Sequence, residues 1–209
     1  MRYLASAFVG EGSYDRQFLP PLLLRALNVM CDQEFEESVY VPDLVILSRH
    51  AGPHTVAEIL ELVGENENWF NIVFVHRDQD RRARSHVMQQ WFTPLRSGWG
   101  TREERLVPVI PVRTTDAWTL ADGGALRQVL GVDWSDQRLG IPARPAGVES
   151  LDNAKGIASG LFGSGHLAAS TLARLGQLAS IDTLRAVPAF AEWWAQTAAV
   201  LEEFGFKRR

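Results

Sequence analysis

The chain has 209 residues, a formal net charge of -4, 46% hydrophobic and 22% charged residues, and a single cysteine, Cys31. These totals exclude an intrachain disulfide and a broadly basic nucleic-acid coat, and no apolar run approaches the length needed to cross a bilayer. A globular protein is expected, one large domain or a domain with an appendage; no signal peptide is visible, so the cytoplasm is the default.

Tyr3 to Val9, YLASAFV, reads as a short buried strand. GEGSYD follows as a glycine-rich turn, with Ser13 as N-cap of the helix YDRQFLPPLLLRAL and Pro20 and Pro21 expected to kink or restart it. CDQEFEES reads as a solvated acidic connection, and Leu44 to Leu47 as a second strand. HTVAEILELVG is an amphipathic helix ended by Gly64. NIVFVHRD is the third strand, whose continuous apolar run implies burial on both faces of a parallel sheet. A helix is expected from Arg82 to about Leu95. RLVPVIPV is the fourth strand, placed near an edge by its prolines. Helical spacing resumes in TTDAWTLADGGALRQVLG. Asp133 to Gly147 reads as a long loop, and the remainder as helices. The alternation predicts an α/β protein: a mainly parallel four-stranded sheet flanked by helices over 1–132, with a loop and helical extension over 133–209 packed on it.

Ligands of open parallel sheets bind outside the carboxyl ends of the strands. Acids follow three of the four expected strands: Glu11 the first, Asp78 and Asp80 the third, Asp116 the fourth. Carboxylates brought together repel one another, and a hard divalent cation, Mg²⁺ or Mn²⁺, relieves that repulsion best. Arg77, Arg81, Arg82 and Arg84 flank the acids; they read equally as phosphate-binding forks or as counter-charges to the acids beside them. Taken singly, any one of these acids is an ordinary loop residue.

Other chemistries find less support. GEGSYD lacks the Gly-Lys-Ser/Thr of a P-loop, the five histidines show no zinc spacing, and no Gly-x-Ser-x-Gly elbow occurs. His76 adjoins the acids and is expected to be structural, as are Trp118, Trp193 and Trp194. Of the 21 basic residues only Lys155 and Lys207 are lysines, a bias that fits arginine-favouring codon usage.

FVGEGSYDRQFL, VFVHRDQD, VIPVRTTDAWTLAD and NAKG, in that order, together with the tail IDTLRAVPAFAEWW, resemble a Toprim-like family of uncharacterised prokaryotic proteins similar to the nuclease domains of OLD (overcoming lysogenization defect) proteins. The likeness spans nearly the whole chain, and only the ordered combination of motifs is specific. It implies a Toprim-like Rossmannoid fold and a Mg²⁺- or Mn²⁺-dependent nuclease acting on DNA or RNA, in phage defence beside a partner ATPase. Carried over by position, Glu11 is the Toprim glutamate, acting as acid/base or ligand. Asp78 and Asp80 are the metal-binding pair, Asp116 completes the shell, and Lys155 stabilises charge on the phosphate. Three residues depart from the pattern: Gly10 replaces an apolar residue, and Asp15 and Asp116 stand where glutamates are common. A shorter Asp116 reaches a metal through water.

Two other functions fit the same residues. A receiver-like signalling domain would use Glu11, Asp78 as phosphoacceptor, and Thr114 or Thr115. A non-catalytic scaffold would keep the fold and bind a partner protein. Apolar C-terminal helices would suit a homodimer.

Overall fold

The computed structural model describes residues 1–100 and 105–209. Among these, six strands form: β1 (Arg2–Tyr3), β2 (Ser6–Val9), β3 (Val39–Tyr40), β4 (Val45–Ile46), β5 (Ile72–His76) and β6 (Leu106–Val109). All pairings are parallel; β1 pairs with β3, and the main sheet runs β4-β2-β5-β6. The expected first strand divides because its partners change. Leu4 N–H donates to the Tyr40 carbonyl, whereas the Ala5 amide donates to the Asn71 side chain. The proline-bearing strand β6 lies at an edge, as its composition predicted.

Helices cover both faces of the sheet. Phe8, Phe74, Val107 and Val109 point into the larger core with α1 (Asp15–Glu34) and the C-terminal helices. Ala7, Val9, Val73 and Val75 alternate onto the other face, against α2 (Val56–Asn66) and against Phe92 and Leu95. That two-sided burial is why β5 reads as an unbroken apolar run.

Helix α1 passes through Pro20 and Pro21 without a break, against expectation, and continues to Glu34, so that much of the expected acidic connection is helical. Each interior proline costs about 3 kcal/mol. Phe18, Leu19, Leu22, Leu23 and Leu27 are all buried on this helix, and burial contributes roughly 1.5–3 kcal/mol apiece, which outweighs the prolines. Its N-cap is Tyr14 rather than Ser13. In α2 a capping box between Thr55 and Glu58 fixes the start, and Gly64 lies inside the helix rather than ending it.

The helix expected from Arg82 is three pieces: α3 (Arg84–Val87), a π-helical turn (Met88–Phe92) and α4 (Thr93–Trp99), where Pro94 occupies the first turn. Beyond β6 come α5 (Asp116–Thr119), α6 (Gly123–Leu130), α7 (Asp136–Leu139), a 3-10 helix (Pro145–Ser150), α8 (Ala154–Phe162), α9 (Gly165–Leu178), α10 (Ile181–Arg185) and α11 (Pro188–Glu203). The expected long loop therefore holds short helices. Trp118, Phe190, Trp193 and Phe74 form a chain of rings 5.1–5.5 Å apart that ties α5 and α11 to the sheet. Much of the apolar surface of α9 and α11 is buried within the chain, while Leu167 of α9 is exposed. Among the described residues no helix is long and apolar enough to cross a membrane.

Candidate functional site

The chain crosses from β2 through α1 to β4 on one side, then returns past β2 to β5 and β6 on the other. The switch point, where open α/β sheets bind ligands, thus lies between the carboxyl ends of β2 and β5. Glu11 follows β2 and Asp78 follows β5, and the two are joined directly: the Asp78 amide donates to Glu11 Oε2 at 3.0 Å.

Asp78 Oδ1 is held by three donors. The Thr115 amide reaches it at 2.8 Å, the Thr115 hydroxyl at 3.1 Å and His76 Nε2 at 3.1 Å. His76 Nε2 also lies 2.7 Å from Thr115 Oγ1. Burial pushes the Asp78 carboxyl up, but His76 and the Thr115 donors outweigh it and hold the group below the ordinary carboxylate range. His76 itself is fully buried. Burial opposes its charge, yet Asp15 (Oδ2 at 3.7 Å from Nδ1), Asp78 and Glu11 together hold it above the ordinary histidine range.

Asp116 opens α5, where its Oδ2 accepts the Thr114 hydroxyl at 2.7 Å. Burial, then the charges of Asp78 and Asp15, push its carboxyl above the ordinary range despite the Thr114 bond and Lys155. Asp15 caps the preceding turn, accepting the Gly12 amide at 2.9 Å. Glu11, Asp15, Asp78, Asp116 and Lys155 all line one cavity of about 490 Å³. Among the described residues none of these four acids forms an ion pair with an arginine or lysine.

The remaining sequence candidates lie elsewhere, which corrects the expected site. Asp80 does not join Asp78. It adopts a left-handed φ of 56°, its amide donates to the Arg113 carbonyl at 2.7 Å, and its carboxylate pairs with Arg82 at 3.2 Å. That turn carries Asp80, Arg81 and Arg82 to a separate depression, also lined by Arg113 and Asp152. Arg77 is buried: its guanidinium donates to the carbonyls of His76 and His54 and lies 4.1 Å from the Trp91 ring centre. These contacts make it a buried strut between β5 and the segment holding His54. Arg84 is committed to Glu192 at 2.8 Å and to the Ile110 carbonyl at 3.1 Å.

Asp15 and the apolar side of the cavity were missed as site features, and His76 and Thr115 were given lesser parts. The signals available were Asp15 opening the helix just after the Glu11 turn, and hydroxyls directly preceding Asp116.

The donors present suit a hard cation only in a particular way. Among the described residues no three His, Cys, Asp or Glu side chains come together closely enough to cage an ion. Mg²⁺ commonly takes one or two protein carboxylates and completes its octahedron with water and substrate oxygens. Acids around one cavity that share a single buried histidine, with Asp116 raised by burial and then by the charges of Asp78 and Asp15, fit that open mode and not a closed site. No family model, no curated protein and no solved structure matches the chain.

Proposed function

We propose that the protein is a Toprim-like, Mg²⁺- or Mn²⁺-dependent hydrolase of phosphodiester bonds in nucleic acid, with its centre at Glu11, Asp78 and Asp116. The observation that carries it is the meeting of carboxylates from three separate strand ends in one cavity where, among the described residues, they pair with the buried His76 and with no arginine or lysine. Glu11 and Asp78 would hold the cation, with Asp116 reaching it through water. Bound there, the cation supplies Lewis-acid polarisation of a phosphoryl oxygen and a lowered pKa for water.

The chain's own groups do the rest. Thr115 and His76 fix Asp78 in one orientation. The Asp78 amide orients Glu11, whose carboxylate can accept a proton from an attacking water. Lys155, exposed on α8 at the cavity edge, offsets charge that develops on the phosphate. Incubation of plasmid, single-stranded DNA and RNA with Mg²⁺ or Mn²⁺ tests this: wild type cuts and Asp78→Asn does not. Equal cutting by both overturns the assignment.

One observation favours a second reading. The Thr115 hydroxyl touches Asp78 Oδ1, the arrangement of a phosphoacceptor aspartate beside a switch hydroxyl. A labile acyl phosphate on Asp78 after treatment with acetyl phosphate would support it over hydrolysis.

A further inference from the structure

The cavity lining is of two unlike kinds. Besides the acids, Phe18 from α1, Ala158 and Phe162 from α8, and Leu172 from α9, all largely buried, line it with carbon. An ion or a bare phosphate needs no such lining. The volume of about 490 Å³ falls within the range of roughly 300–1,000 Å³ typical of small-molecule sites.

Cationic groups are scarce. Among the described lining residues Lys155 is the one basic side chain. Duplex binding relies on many Lys and Arg contacts to phosphates. Three nearby arginines are committed instead, Arg82 to Asp80, Arg84 to Glu192 and Arg113 to Asp152, and Arg81 lines the separate depression beside Asp80.

We propose that this cavity seats a single unstacked nucleotide unit and excludes duplex. The phosphate lies toward Glu11, Asp78 and Asp116, and the base against Phe18, Phe162 and Leu172. This specifies the substrate of the hydrolase proposed above and rests on that assignment. Enzymes that act on one nucleotide commonly take it out of the stack into such a pocket, where apolar and aromatic side chains hold the base. The unit can come from a free nucleotide or from the end of a single strand; both present the same phosphate and base.

Calorimetry on the full chain with Ca²⁺, using AMP, a ten-nucleotide adenine single strand and the corresponding duplex, tests the proposal. AMP and the single strand should compete for one site, with duplex at least about tenfold weaker. A single strand that binds tighter than AMP assigns the site to strand ends; equal affinities assign it to free nucleotides. Ser159 is exposed at the cavity edge, one turn beyond Lys155 on α8. Ser159→Trp should therefore fill the opening, leave the melting temperature unchanged and weaken AMP about tenfold or more. Duplex binding as tight as AMP, or unchanged AMP affinity in Ser159→Trp, overturns the proposal. AMP binding by a protein that cuts no nucleic acid removes the hydrolase and leaves the nucleotide site. Cleavage by a protein that binds no AMP does the reverse.

Discussion

Two clusters of charge sit at the carboxyl ends of the same strands and are built in opposite ways. Around Asp80, both acids have a private opposite, Asp80 in Arg82 and Asp152 in Arg113, on an exposed surface. Around Asp78, acids are held by amides, hydroxyls and a buried histidine, with no arginine or lysine paired to them. The first arrangement is complete without a ligand. The second sets several acids against one buried histidine inside a cavity, and burial, then the charges of Asp78 and Asp15, hold the Asp116 carboxyl above the ordinary range. Two aspartates one residue apart can therefore differ entirely in role; what separates them is the backbone turn at Asp80, not their chemistry.

The sharpest way to break this comparison is to remove one acid from each cluster. Asp78→Ala should lower metal-dependent cleavage by roughly 100-fold or more, whereas Asp80→Ala should stay within about threefold of wild type. Equal losses in both would mean that the two clusters act as one site. Single-turnover cleavage rates measure it.

Next comes the support beneath the cavity. Gly176 of α9 lies so close to the proline turn of α1 that a Cβ there would sit 2.4 Å from the Phe18 carbonyl oxygen. Backbone cannot yield as a flexible side chain does, so Gly176→Ala should cost about 1–3 kcal/mol in urea unfolding.

Acid–base linkage sharpens the contrast further. The folded-state pKa of Asp116 is raised above its ordinary 3.8, so its stabilising contribution is present below that value and is lost as pH rises through the folded pKa. Asp78 is shifted the other way: its contribution is present above 3.8 and is lost as pH falls through the folded pKa. Melting curves against pH should show Asp116→Asn abolishing the decline on the alkaline side of 3.8. Added Mg²⁺ should reduce the same decline in wild type. An unchanged profile in Asp116→Asn would place the destabilising charge elsewhere.

The smallest effect belongs to the private pairs. Arg82→Ala should change stability by at most about 1 kcal/mol, because an exposed ion pair gains little over its solvated partners.

Much of the frame was legible in the sequence. The apolar run of β5, the acids after β2, β5 and β6, and the prolines of edge strand β6 all follow from local composition and spacing. What stayed hidden depended on tertiary partners. Nothing local shows that α1 survives Pro20 and Pro21, because the compensating burial comes from distant helices. A left-handed aspartate is not visible as such, so Asp78 and Asp80 read as a pair. Arg77 reads equally as a phosphate fork or a counter-charge, and neither reading foresees its burial beneath Trp91, which a π-helical turn delivers. Thr115 and His76 emerged as the fixtures of Asp78 only once β5 and the β6 loop were adjacent.

The claim on which the account turns is that Glu11 and Asp78, and not Asp80, would hold a divalent cation. Anomalous diffraction from crystals soaked in Mn²⁺ tests it most directly. A peak beside the Glu11 and Asp78 carboxylates, absent in Asp78→Asn crystals, is the expected result. A peak at Asp80 and none in the cavity would contradict it.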